Sequence, residues 1–258
     1  MFKKIKAALT GKSVSDARAL AESDPRKALL LLETLAEAGD AAAMCDLAAS
    51  YEFGTVCWSS HKISVNIPKA AFWYGKLRQL NNFQGFEGLW QMYYRVGEME
   101  KAADALKVAA NAGIPNSMRF LAGCYFQGDA SFRQNFSEGL MWMRKSAKTG
   151  DFSAQTELAE VYRDGKVVEK DLVKAYMWFV IASAKERSEN QARYGEALRN
   201  FRMPCDSRDY EFFKPKEPSP GKAELARNEL ATILSKEQIL KAQKMAETCV
   251  SVNYNGFD

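Results

Sequence analysis

One spacing recurs along this chain, and a stack of helix hairpins is the fold that can use it. In "GDFSAQTELAEVYRDG", residues 150–165, eight positions separate Gly150 from Leu158, four separate Leu158 from Tyr162, and three separate Tyr162 from Gly165. The same steps lead from Gly39 to Leu47, Tyr51 and Gly54, and from Gly113 to Leu121, Tyr125 and Gly128. A looser copy reads Asn82, Trp90, Tyr94, Gly97. The tyrosines at 51, 94, 125 and 162 are 31 to 43 residues apart, and a period of roughly 20 to 50 residues marks a solenoid.

The spacing dictates the unit. Leu and Tyr four apart share one face of a first helix. The following Gly takes a left-handed conformation and ends that helix. After a loop, a second helix carries a small residue and a large one three apart: Ala70 and Trp73, Gly139 and Trp142, Ala175 and Trp178, with Ala102 and Ala105 as the weaker case. The small residue lets the two axes approach. One hairpin cannot bury its apolar face alone, so neighbours must stack. The repeated Tyr and Trp are therefore expected in the core, and Tyr125→Ala or Tyr162→Ala should cost about 3–5 kcal/mol.

The segment "AQTELAEVYRDGKVVEKDLVKAYMWFVIASA" resembles the Sel1-like repeat of bacterial, tetratricopeptide-related proteins, through Ala154, Leu158, Tyr162, Gly165, Asp171, Lys174, Ala175, Trp178 and Ala182. The family's Gly after Leu is Ala48, Ala122 and Ala159 here, and Gln91 in the second copy. The resemblance implies an all-α fold, a right-handed α-solenoid in one domain, 1–258. It implies an N-terminal partial repeat at 12–40 and repeats at 41–82, 83–113, 114–150 and 151–187. A C-terminal cap, 188–258, would contain a capping helix near 234–247. Some family members clamp hairpins with disulfides. Cys45 lies near such a place, but Ala36 stands where its partner belongs, which points to a reduced compartment.

Composition narrows the function. The 36 Lys and Arg against 32 Asp and Glu leave a net charge of +4, too small to demand a polyanion. Five dispersed cysteines without a CxxC, and the single His61, suit neither a disulfide framework nor a metal site. Nothing approaches the roughly 18–20 apolar residues of a membrane span. The start "MFKKIKAALTGKS" holds only Ala7-Ala8-Leu9 as an apolar run, short of the about 7–15 residues of a secretory core. The expectation is a cytoplasmic protein. No phosphate-binding loop, nucleotide-binding glycine motif or G-x-S-x-G occurs, and no nucleophile, base and orienting group converge. No enzymatic activity, cofactor or small-molecule substrate is expected.

Two segments are irregular. In residues 55–68, "TVCWSSHKISVNIP", alternating Ile63, Val65 and Ile67 suggest a short extended piece with Trp58 and His61 at its tip. It reads as a packed loop or a contact loop. Residues 199–221 hold four of the seven prolines, with Tyr210, Phe212 and Phe213 beside Lys214 and Lys216.

A solenoid binds partners along the first helices of its hairpins, on the concave face. Counting outward from the Leu–Tyr face gives the candidates Glu52, Met92, Arg95, Arg119, Phe126, Gln127, Glu160, Arg163 and Asp164. Arg95, Arg119 and Arg163 would form a ladder suited to an acidic or C-terminal peptide, or else pair with carboxylates of neighbouring units. The expected partner is a peptide or folded protein, bound by a monomer acting as adaptor, inhibitor or toxin-immunity protein. The alternative is a nucleic-acid or anionic-membrane binder using the basic start.

Overall fold

The computed structural model describes residues 11–128, 131–200 and 218–254, with side chains omitted at 197–200. Among the described residues there are twelve helices and no strand: α1 (Val14–Leu20), α2 (Pro25–Glu37), α3 (Ala41–Phe53), α4 (Ile67–Gln79), α5 (Phe83–Arg95), α6 (Met99–Asn111), α7 (Pro115–Gln127), α8 (Phe136–Lys148), α9 (Phe152–Asp164), α10 (Leu172–Asn200), α11 (Lys222–Ala231) and α12 (Lys236–Ser251). The fold is an α-solenoid of helix hairpins, with α3–α4, α5–α6, α7–α8 and α9–α10 as the repeating pairs. None of these helices is long and apolar enough to cross a membrane.

The turns between hairpins fix the register. Each has three residues: 38–40, 80–82, 112–114 and 149–151. The middle residue has positive φ, at 99° in Gly39, 84° in Gly113 and 84° in Gly150. In the remaining turn that place is taken by Asn81 at 55°, since asparagine tolerates the left-handed region better than other side chains. The next residue caps the new helix: Asp40, Asn82 and Asp151 accept from backbone N–H groups of its first turn. In the third turn Ile114 cannot cap, and Pro115 at the first helical position removes one donor that would need it.

This register shifts the second copy by one residue from the sequence reading. Asn81, Leu89 and Tyr93 are the equivalents of Gly39, Leu47 and Tyr51, in place of Asn82, Trp90 and Tyr94. The displaced glycine misled the count: Gly97 follows α5 by two residues, whereas Gly54 and Gly165 follow α3 and α9 directly. Tyr94 is consequently 48% exposed and is not core. Tyr51, Tyr162, Trp142 and Trp178 are buried as expected, while Tyr125 and Trp73 are half-buried.

The chain divides into two compact units, Met1–Ser117 with Ala130–Phe132, and Met118–Asp129 with Arg133–Asp258. In the first, Leu31, Leu32, Leu47, Leu77 and Met92 form the centre of the core. In the second, Leu121, Leu158, Met177 and Phe179 are fully enclosed. The small residues permit the close approach expected of them. A β-carbon on Gly139 of α8 would lie 2.5 Å from the Phe126 ring of α7.

No break falls at the expected 187/188 boundary, because α10 continues to Asn200 through a stretch free of proline. It also supports the C-terminal pair. The Glu186 carboxylate accepts from the backbone N–H of Lys222 and Ala223 at 3.1 and 3.2 Å, capping α11 where Gly221 has no side chain to do so. Helix α12 begins two residues after the expected capping helix, at a Ser235–Gln238 capping box. Tyr254 stacks on Trp178 at 6.4 Å. The basic start up to Thr10 and the aromatic part of 199–221, with Tyr210, Phe212 and Phe213, lie outside the described residues.

Candidate functional site

In the first unit the candidates centre on Glu52, at the last turn of α3. Its side chain is only 3% exposed. Tyr74 of α4 donates its hydroxyl hydrogen to one carboxylate oxygen at 2.8 Å. The Arg95 guanidinium, at the end of α5, pairs with the other. Burial, then the Glu52 charge, pushes the Tyr74 phenol well above its ordinary range. Held in this way, Arg95 lies 4.8 Å over the ring of Phe53, which is 57% exposed. Met92 is fully buried. It stands three residues after Leu89 on the core face of α5 and presents no surface.

In the second unit Arg119 of α7 donates to Glu157 of α9 at 2.7 Å. Phe126 is half-buried against Gly139, and Gln127 beside it is exposed. Glu160 pairs with Lys222 at 2.9 Å. Arg163 donates to the adjacent Asp164 at 2.8 Å, which lowers the Asp164 carboxyl and raises Arg163. The three arginines occupy unlike places in their helices: thirteenth in α5, fifth in α7 and twelfth in α9. Each already faces a carboxylate.

The inserted loop forms the other concentration of polar contacts. Its expected extended piece is a single antiparallel bridge, Thr55 to Lys62, and Ile67 belongs to α4. Trp58 is 66% exposed and has a φ of 68°, a rare state for a bulky residue. Three contacts impose it. The indole N–H donates to buried Asp46 at 3.3 Å, Arg18 grips the same carboxylate through Nε and Nη2 at 2.9 and 3.1 Å, and the Arg18 guanidinium lies 4.7 Å over the indole ring. His61 contacts the Glu22 carbonyl through Nε2 at 2.8 Å, fastening the loop to the end of α1. Sequence reasoning passed over Arg18. The signal available was Asp46 on the inner face of α3, an acid that needs a partner when buried.

These arrangements suit recognition. Cations stack on exposed rings, and carboxylates hold them there. Among the described residues no group of three or more His, Cys, Asp or Glu could hold a metal. Cys45, Cys57, Cys124 and Cys249 are free thiols. Burial pushes up Cys45 and Cys57, and Cys249 to about 11.

The Sel1 repeat model matches residues 19–40, 41–82, 115–151 and 152–186. No curated protein matches the chain. Among solved structures, a protective antigen of uropathogenic Escherichia coli with an SLR fold is 24% identical, covering 90% of this chain and 43% of that one, with a TM-score of 0.59. The chain thus spans less than half of that protein's length. A Sel1 repeat protein from Oxalobacter formigenes is 18% identical over 95% of both chains, with a TM-score of 0.55. An immunity protein from Pseudomonas aeruginosa is 22% identical, covering 92% of this chain and 83% of that one, with a TM-score of 0.41. The four repeat matches together take in more than half of the residues, and the chain belongs to the Sel1 repeat family, whose members are generally protein-interaction scaffolds.

Proposed function

We propose that this chain is a non-catalytic interaction protein that holds a peptide or folded protein on the first-helix faces of its hairpins. The supporting observation is the Phe53–Arg95 pair. An aromatic ring stands more than half exposed, with a guanidinium fixed over it by a buried carboxylate. Exposed aromatic and Arg side chains with restrained geometry are the usual anchors of protein interfaces. Glu52 acts by positioning Arg95. Arg119, Phe126, Gln127, Glu160, Arg163 and Asp164 form the corresponding surface of the second unit, and Met92 supports α5 from within. Because the arginines are neutralised in place, they offer stacking faces more than net charge. The partner they fit is aromatic or aliphatic at its contact points, and an acidic peptide fits them less well.

The test is affinity capture with the full chain, with partners identified by mass spectrometry. Wild type is compared with Phe53→Ser and with the triple variant Arg95→Ala, Arg119→Ala, Arg163→Ala, after circular dichroism shows that each folds. A protein held by wild type and lost by both variants is the expected result. A partner retained by both overturns the surface. If the partner is toxic when expressed alone and this chain restores growth, the specific task is immunity. Recovery of nucleic acid or lipid alone, removed by salt, would replace this reading with the basic-start alternative.

A further inference from the structure

The same three-residue arrangement occurs in both units with a different charge, neutral in the first and doubly positive in the second. In the first unit, Tyr51 donates its hydroxyl to Glu33 at 2.7 Å, and Lys69 sits 3.2 Å from the same oxygen and 4.6 Å from the ring centre. One cation and one anion meet there, and the group is neutral. Glu33 is the ninth residue of α2, Tyr51 the eleventh of α3 and Lys69 the third of α4. The second unit repeats these positions as Arg144 in α8, Tyr162 in α9 and Lys174 in α10. Arg144 donates through Nη2 to the Tyr162 hydroxyl at 2.9 Å, and Lys174 lies 5.3 Å from that ring. Here two cations meet. Neither side chain has a carboxylate partner among the described residues.

The excess charge borders a cavity of about 20 Å³ whose walls also include Met177, Trp178 and Met245. That volume holds one water-sized group, such as a single carboxylate oxygen, since about 10–15 Å³ suffices for a water. Arg144 Nε is buried in this region without a hydrogen-bond partner. The Tyr162 oxygen already accepts from Arg144, so its own hydrogen is available. Arg144 Nε, the Tyr162 hydroxyl and the Lys174 ammonium therefore supply three donors and no acceptor. On α12 the adjoining groove, which shares Met245, adds Lys241 and Lys244 against the single acid Glu237.

We infer that Arg144, Tyr162 and Lys174 form a binding site for a carboxylate carried on an apolar group, such as the end of a peptide whose last side chain is aliphatic. The carboxylate supplies the negative charge that Glu33 supplies in the first unit, where Arg144 stands here. The apolar walls of the cavity keep water from weakening the charge-assisted hydrogen bonds, and the carbon chain lies in the adjoining groove along Leu240 and Met245. None of the three residues belongs to the first-helix surface described above, so the two readings stand or fall separately.

The test is a titration of the isotope-labelled full chain, following the Arg144 Nε–H resonance by NMR. The probes are sodium acetate, N-acetyl-leucine, the uncharged N-acetyl-leucinamide and sodium phosphate. A saturable shift with the two carboxylates and none with the amide is expected. Arg144→Glu restores the neutral arrangement of the first unit, so its fold should persist. Followed by Trp fluorescence, it should weaken binding about tenfold or more, the scale of one charge-assisted hydrogen bond. Arg144→Met is the second variant should the glutamate disturb the fold by circular dichroism. A clear preference for N-acetyl-leucine over acetate supports the site with a peptide terminus as ligand. Equal affinities overturn the apolar part of the ligand, since the side chain then contributes nothing. No saturable shift with either carboxylate, a response to phosphate alone, or undiminished binding by the Arg144 variants overturns the site.

Discussion

Tyr74 and Arg95 hold the two oxygens of one carboxylate, Glu52, from opposite helices of a hairpin neighbourhood. The Glu52 side chain is 3% exposed and that of Arg95 46%, so removing either partner has unequal cost. Arg95→Met leaves a buried carboxylate with one donor and should lose about 2 kcal/mol. Glu52→Gln still accepts from Tyr74 and releases Arg95 to water, and should lose under about 1 kcal/mol. Urea midpoints decide this, and equal losses would refute the asymmetry.

Two helix glycines of the second unit should respond oppositely to alanine. A β-carbon on Gly139 meets the Phe126 ring at 2.5 Å, whereas one on Gly123 of α7 meets nothing within 4 Å. Gly139→Ala should cost about 1–3 kcal/mol by overpacking. Gly123→Ala should gain about 0.5–1 kcal/mol from the stiffer unfolded chain. Thermal melts of the two variants should move in opposite directions.

The one-residue register of the second copy can be tested at Asn81 and Asn82. Asn81 has a φ of 55°, so Asn81→Gly should be close to neutral, while Asn81→Val should cost about 1–2 kcal/mol. Asn82 accepts from the Gln84 N–H at 2.9 Å, and Asn82→Ala should cost about 1 kcal/mol by losing a cap. Chemical denaturation of the three variants gives the ranking. An unchanged Asn81→Val would contradict the assignment.

Acid should release the inserted loop. Ser60 donates to Glu22 through its hydroxyl at 2.7 Å and its backbone N–H at 2.9 Å, and these two bonds hold the Glu22 carboxyl below its ordinary 4.5. A depressed carboxyl stabilises the docked loop fully above the unfolded value, and that contribution disappears as pH falls through the lower folded value. The protection of the Ser60 amide against hydrogen exchange, relative to its intrinsic rate, should fall below the ordinary carboxyl range. Glu22→Gln should remove the pH dependence.

The thiols of half-buried Cys45 and Cys57 and of buried Cys249 should be inert near neutrality. Burial raises Cys45 and Cys57 and brings Cys249 to about 11, and the thiolate is the reactive form. Iodoacetamide at pH 7.5, read by peptide mass spectrometry, should label these three only after unfolding. Rapid labelling of Cys57 would show that the loop opens.

The hairpins were legible because Leu, Tyr and Gly spacing reports helix faces and ends directly. The second copy was misread because glycine was treated as the marker, when the left-handed place between hairpins had passed to Asn81 and Gly97 served a shorter turn. Surface candidates were harder to read. Met92 lies on the inner face only in the corrected register. The carboxylate partners of Arg95 and Arg119 lie 43 and 38 residues away, beyond any local pattern. The Arg18–Asp46–Trp58 contact joins residues of two helices and a loop. Its geometry follows from packing that no spacing rule contains.

Helices α2 to α9 all have thirteen residues, about 20 Å at the α-helical rise. The loops inside the hairpins run from three residues after α5 to thirteen after α3. Change of length has been admitted at one end of each hairpin and refused along its shaft. A segment of foreign sequence added within the loop between Gly54 and Asn66, outside the docked Val56, Trp58 and His61, would therefore leave the register of α3 on α4 intact, and the hairpins can serve as interchangeable cassettes whose recognition is rewritten at the tips.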